Sequence, residues 1–339
     1  MNHSKKILRR AAVAALLGGA ALAAHAQADY SVYGVFDFSY GRFEPSGQVR
    51  THRFNSNSMT ASFAGVNAKY GFEGGWTPGI TLESFIRFQD FKGGRNDDDP
   101  NLSRNAFFSV GSNYGTVRIG RLQTFLFDAT TRFNALGNSV AFSPAVRHVF
   151  ASGTLEGVQG DFYWDRAVSY QTPPGLVEGV ALNVMYSQGE TDRRGDLSGA
   201  SLVVSRGLLS VSLAAQRVSV VDPVEDPIKE TTVQLGATYN FGWARVFAQY
   251  TQTDDTGLEV DSKIAAAGLI APLGPGNVHL QVAHTTAKGP AVDRRHTSVS
   301  AAYLYPYDSV TDIYAVGMDD RVRGQTRGAS VAAGVRWRF

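Results

Sequence analysis

Cysteine is absent from all 339 residues, so no disulfide, thiolate nucleophile or cysteine-bound metal can contribute, and stability must come from size or from a closed architecture. Charge is scarce as well. Asp, Glu, Lys and Arg make up 18% of the chain, against about 25% in an ordinary soluble protein. Neither sign is in excess once the N-terminus is set aside. Residues 1–26 hold Lys5, Lys6, Arg9 and Arg10 and no acid, which leaves 28 bases against 30 acids in residues 27–339. Such a balance gives no broad positive field to release counterions from a nucleic acid, so no nucleic-acid partner is expected. Long apolar runs are missing too. No stretch beyond residue 26 approaches the ~18 residues that a spanning helix needs, which excludes a helical membrane protein and argues against an ordinary enzyme.

What is present begins with an export signal. A basic start (Lys5, Lys6, Arg9, Arg10), a short apolar run over 11–24 and the small-x-small triplet Ala24-His25-Ala26 have the layout of a secretory signal peptide. Cleavage after Ala26 would leave one domain, residues 27–339.

That domain shows no sustained helical period. Apolar and small or polar residues instead alternate over stretches of 7 to 12 residues, the pattern of a strand with two unlike faces. In the last stretch Val331, Ala333, Val335, Trp337 and Phe339 share one face, and Ser330, Ala332, Gly334, Arg336 and Arg338 the other. Ile80, Leu82, Ile86 and Phe88 oppose Thr81, Glu83, Arg87 and Gln89 in the same way, and Val246, Ala248 and Tyr250 oppose Arg245, Gln249 and Thr251. Short Gly-, Pro- or Asn-bearing separators, such as Ser112-Asn113-Tyr114-Gly115, Arg206-Gly207 and Asn240-Phe241-Gly242, alternate with longer polar ones. The longer ones fall near 43–58, 92–103, 122–163, 190–196, 221–229, 254–262, 287–294 and 319–327. Seven turns and eight loops join sixteen strands, and an even count places both termini at one end.

Hydrocarbon admits a sheet only when it is closed, because every backbone donor and acceptor must be paired within the protein. Outer-membrane barrels combine this dyad alternation with short turns at one end and long loops at the other. A soluble sandwich also alternates, but its water-facing surface is rich in Lys and Glu, whereas here the polar faces carry Gly, Ser, Thr and scattered charges. Trp76, Trp243, Tyr303, Tyr305, Trp337 and Phe339 gather at expected strand ends, as in interfacial girdles. The expected fold is all-β, a 16-stranded antiparallel transmembrane barrel.

Four stretches carry a resemblance: Ser31-Val32-Tyr33-Gly34-Val35-Phe36-Asp37, Asn113-Tyr114-Gly115-Thr116-Val117-Arg118-Ile119-Gly120-Arg121, the run from Tyr239 to Tyr250, and the terminal Val335-Arg336-Trp337-Arg338-Phe339. In these the chain resembles the trimeric general porins of Gram-negative outer membranes, in their neisserial-like branch. The likeness implies a homotrimer in outer-membrane lipid, a third loop folded into the lumen, and a C-terminal Phe339 that serves as an assembly signal. It implies a constriction between bases on the wall and acids on that loop. Arg104 and Arg118 match basic wall positions of the family, while Gly65 to Lys69 departs from its pattern and Lys69 stands in for an arginine. With Arg87 these face Asp128, Glu156 and Asp161 of the loop, which lacks the family's Pro-Glu-Phe-Gly element.

Other motifs are weak. Asp97-Asp98-Asp99-Pro100 and Asp254-Asp255 lack the glycine turn and distal Glu of a calcium loop and read as exposed loops. The histidines at 52, 148, 279, 284 and 296 show no zinc-protease spacing, and no Gly-x-Ser-x-Gly element or phosphate loop is present. No cofactor or metal is expected. The expected function is passive diffusion of ions and small hydrophilic solutes, with a modest anion preference because lumen-side positions lean basic (Lys69, Arg87, Arg104, Arg118 and Arg245 against Asp37 and Glu83) while the loop acids face bulk salt. The alternatives are a substrate-specific uptake channel or an outer-membrane barrel hydrolase, for which Ser187 and His284 are candidates by residue type alone.

Overall fold

The computed structural model describes residues 28–151, 161–188, 195–220 and 228–339. The signal-peptide reading of 1–26, Glu156 and the acids at 222, 225 and 226 lie outside the described residues.

Alternation turns into strands along the whole described chain. In order these are β1 (Ala28–Phe43), β2 (Thr51–Asn55), β3 (Phe63–Tyr70), β4 (Thr77–Arg87), β5 (Lys92–Gly93), β6 (Ala106–Ser112), β7 (Gly115–Gln123), β8 (Tyr163–Gln171) and β9 (Val180–Ser187). Then follow β10 (Leu197–Arg206), β11 (Leu209–Val220), β12 (Ile228–Asn240), β13 (Arg245–Asp255), β14 (Val260–Leu273), β15 (Gly276–Gly289), β16 (Val292–Pro306), β17 (Thr311–Val322) and β18 (Gly328–Arg338). Two helices, α1 (Phe125–Arg132) and α2 (Pro144–Ala151), stand between β7 and β8.

All pairings are antiparallel, and β1 closes on β18 from Val35 opposite Arg338 to Arg42 opposite Val331. The wall has sixteen strands. β2 and β3 are two pieces of one wall strand, both lying along β1, and β5 is a two-residue arm on the end of β4. The faces separate as the alternation requires. On β18 the side chains of Val331, Val335 and Trp337 are exposed on the outer wall, while Ser330 and Ala332 are buried inside.

Closure depends on close approach at Gly34. Its backbone exchanges hydrogen bonds with Phe339 at 3.1 and 3.2 Å, and a β-carbon there would lie 2.6 Å from the Phe339 ring and 2.5 Å from the Phe63 carbonyl oxygen. The seven short turns fall where the Gly, Pro and Asn signals place them, together with the termini at one end of the barrel, here the turn end.

The loop end differs from expectation in three places. Loops expected over 254–262 and 287–294 shrink to 256–259 and 290–291, because β13 to β16 run on through charged residues. Charge there marks the end of contact with hydrocarbon, not the end of the hydrogen-bond ladder. Asp261 faces Lys288, and Lys288 faces Asp293, opposite-charge cross-strand pairs that favour the extended strands. Asp319 and Asp320, expected in the last loop, belong to β17, and Asp320 is buried. Asp254 and Asp255 close β13, with Asp255 turned inward and buried.

The third loop folds into the lumen, as the likeness implied, but it contains helices that no periodic signal foretold. Each has eight residues, about two turns, too few to write a 3.6-residue period. Thr124 caps α1, its hydroxyl accepting from the Phe127 amide at 3.2 Å. α1 packs against β9 to β12 and α2 against β14 to β16. Between them Leu136 and Phe142 reach a cluster with Phe43, Met59, Leu304 and Tyr314, so the loop is laid along the inner wall from β9 round to β1. Phe133 and Phe142 are fully buried, and each such side chain contributes about 1.5–3 kcal/mol to holding it there. Wall side chains tie the polar atoms down: Gln249 donates to the Thr130 carbonyl at 2.8 Å, and Ser300 to that of Phe142 at 2.7 Å.

Candidate pore constriction

With the loop covering one side of the lumen, two cavities remain against the wall from β1 to β9. Their floor plan is set by one chain of hydrogen bonds. Glu83 of β4 accepts from Tyr33 (2.6 Å), from the Asn105 amide group (2.9 Å) and from Arg104 (3.1 Å). Arg104 also donates to the Tyr163 hydroxyl at 3.0 Å, which donates to Gln123 at 3.1 Å, and its guanidinium lies 3.7 Å from the centre of the Phe63 ring.

One cavity of about 320 Å³ opens on the turn-end side of this chain, where Arg118 of β7 and Asp128 of α1 share the lining. A second, also about 320 Å³, opens on the loop-end side, between β2, the second loop and the third loop. Four arginines line it, Arg53, Arg95, Arg104 and Arg147, and among the described residues no carboxylate does.

The expected site residues therefore separate. Arg104 is on the wall as expected but is neutralised by Glu83. Arg118 and Asp128 meet across the first cavity. Asp128 is exposed to the lumen, yet partial desolvation by the surrounding wall and loop raises its carboxyl above its ordinary range, against the pull of Arg132 and Arg118. Asp161 does not face the lumen as a free acid, since Arg95 grips it through two hydrogen bonds of 2.5 and 2.7 Å. Arg87 is drawn to the second loop by Asp90 (3.4 Å) and Asp97 (2.5 Å). Lys69 sits near the turn end of β3, opposite Asp29 and Gly79, and lines neither cavity. Arg245, the first residue of β13, is exposed at that same rim.

Asp37, expected as a lumen acid, is a structural anchor. It accepts from the amides of Ser58 (3.2 Å), Met59 (3.1 Å) and Thr60 (3.1 Å) and from the Tyr314 hydroxyl (2.7 Å), which pins the 56–62 segment that interrupts the second wall strand. Arg53, Arg95 and Arg147 were not singled out by sequence. For Arg53 a signal exists: in Thr51-His52-Arg53-Phe54-Asn55 the apolar Phe54 stands on the outer face, against Phe38 and Tyr40, and so turns Arg53 inward.

The fold also brings together residues far apart in sequence. The rings of His148 (α2) and His296 (β16) stack at 4.0 Å, and Asp320 of β17 accepts from His296 at 2.6 Å. His148 Nε2, His296 Nε2 and Asp320 Oδ1 lie within metal-ligand reach of one another, but they converge on the Ser298 hydroxyl, at 2.8, 3.2 and 2.6 Å. His148 Nδ1 is joined to Thr285 at 2.7 Å, and Arg147 stands 3.7 Å from Asp320. With the central position filled by a hydroxyl and a cation alongside, the group works as a latch between α2 and the wall. The two hydrolase candidates stay apart: His284 is exposed on the outer face beside Thr297, whereas Ser187 is buried inside, bonded to the Asp165 carbonyl.

A family model for Gram-negative porins matches residues 11–325. The chain belongs to the Gram-negative porins. Among solved structures, this porin is similar to the anion-selective porin from Comamonas acidovorans, at 20% identity and a TM-score of 0.79, covering 92% of this chain and 100% of that one. OmpT of Vibrio cholerae is similar in a form lacking its loop L8 (15% identity, TM-score 0.72, 93% and 100% covered) and in a trimer form (15%, 0.68, 93% and 100%). No curated protein sequence matches the chain. The porin is thus a diffusion channel of the Gram-negative outer membrane and not an enzyme.

Proposed function

We propose that this porin passes ions and small hydrophilic solutes with a modest preference for anions, and that Arg118 and Asp128, with Arg104 as a paired wall base, shape its constriction. The observation that carries the preference is the outer cavity, with four arginines and, among the described residues, no carboxylate in its lining. Charges inside a narrow lumen with low-dielectric walls act on each passing ion, while loop charges outside are screened within about 8 Å at physiological salt. The anion-selective character of the Comamonas porin agrees with this reading.

The neisserial-like branch is our assignment from the four sequence stretches, and residues 1–26 are our export signal, leaving 27–339 as the barrel. We assign a homotrimer on a feature of the wall. β6 and β9 have seven and eight residues and β7 and β8 only nine, at or under the about 9–11 that a tilted strand needs to cross hydrocarbon. A neighbouring subunit against this low sector would cover what the strands leave short, and the existence of an OmpT trimer form agrees with a trimer.

Reversal potential under a KCl gradient tests the selectivity. Wild type should read as anion-selective, and Arg118→Glu should move the potential toward cations. A cation-selective wild type, or an Arg118→Glu channel with an unchanged potential, would overturn the assignment.

A further inference from the structure

The outer cavity has two unlike walls. Its cationic wall holds Arg53, Arg95, Arg104 and Arg147, with the amides of Asn55 and Asn138 nearby. Its other wall is aromatic: Phe127 and Phe162 stack at 4.4 Å, and Phe85 meets Tyr163 edge-on at 5.7 Å. The acids that pair with three of these arginines, Glu83, Asp99, Asp161 and Asp320, contribute nothing to the lining. Arg53 has no acid partner among the described residues and rests over the Phe43 ring at 4.7 Å. At about 320 Å³ the cavity falls at the lower end of small-molecule pockets, which pair apolar walls with a few fixed polar groups.

Chloride would use the cations and none of the rings, and a neutral sugar would leave both poorly matched. A flat ring bearing one carboxylate uses both walls, the carboxylate against a guanidinium fork and the ring against the half-buried Phe162, which the buried Phe85, Phe127 and Tyr163 back. We propose that the outer cavity is a binding subsite for small aromatic carboxylates, which rest there before crossing the Arg104–Tyr163 contact. This rests on the anion-preferring pore assigned above and names the solute class it favours. Occupancy stays weak because a conducting site must also release its solute.

The test is ion current through the reconstituted porin in planar bilayers, with sodium benzoate as the probe. Benzoate at about 10 mM should at least halve the current, while equal acetate, with the charge but no ring, and benzyl alcohol, with the ring but no charge, should leave it nearly unchanged. Arg53→Gln and, separately, Asn55→Asp should each raise the benzoate concentration for half-block by about fivefold or more. Heat-modifiable migration of both variants verifies that they fold. Equal effects of benzoate and acetate, or block unchanged in both variants, would overturn the subsite. Reversal potential in KCl alone keeps the two readings distinct, since an anion-selective channel indifferent to benzoate loses only the subsite.

Discussion

Acidification should loosen the third loop through His148. The ring is almost fully buried between α2 and the wall, and burial, followed by repulsion from His296, holds its pKa well below the ordinary 6.5. The charged groups facing it are Arg147 on α2, Arg294 and His296 on β16 and Asp320 on β17, while β15 offers only the neutral Thr285. Only Asp320 favours the imidazolium. Undocked, the histidine titrates near its ordinary value, so the released loop binds more protons than the docked one. The docking contribution is therefore complete above pH 6.5 and is lost as pH falls below it toward the docked pKa. Each pH unit in that window is worth about 1.4 kcal/mol, so lowering the pH from 6.5 to 5 removes up to about 2 kcal/mol, a factor of about 30 in the docked-to-released ratio. Hydrogen exchange of the 145–151 amides, corrected for intrinsic pH dependence, should rise at pH 5 relative to pH 7.5, and open-channel current noise should rise with it. His148→Gln keeps hydrogen-bonding capacity without titrating and should flatten both responses. Unchanged exchange at pH 5, or a Gln variant that responds like wild type, would refute the reasoning.

Two further outcomes concern assembly and stability. Phe339→Ser removes a ring that packs on Phe36 at 4.9 Å and Trp337 at 5.0 Å, so surface levels measured by membrane fractionation should fall while synthesis continues; normal insertion would count against an assembly role. Arg104→Ala leaves the buried Glu83 without its cation, at a cost of about 3–5 kcal/mol, and should lower the temperature at which the heat-modified gel band appears, with an unshifted temperature meaning that Tyr33 and Asn105 suffice.

The wall was legible because a strand's period of two is written afresh in every segment, and a misread segment is corrected by its neighbours. Strand ends were less legible. Asp261, Lys288 and Asp293 look like loop residues, yet the ladder continues through them because their partners carry the opposite charge. The site was legible in part. Arg118 and Asp128, expected on facing sides, do share the lining of one cavity, but the neutralisation of Arg104 depends on Glu83, 21 residues away, and the capture of Asp161 by Arg95 spans 66. The stacked histidines lie 148 positions apart in numbering. Pairings of this kind are made by barrel closure and loop insertion, and no local pattern records them.

The course of the third loop divides the labour of the chain unevenly. Inner-wall residues of the later strands, such as Gln234, Gln249, Gln281 and Ser300, are committed to holding the loop, and a substitution there changes the position of the loop before it changes what an ion meets. The wall facing the open lumen is drawn mostly from residues 33–123, with Ser169, Gln171 and Met185 contributed by β8 and β9. What this channel admits is therefore most directly altered through residues 33–123, while the inner faces of β12 to β16 serve first to keep the scaffold and its loop in place.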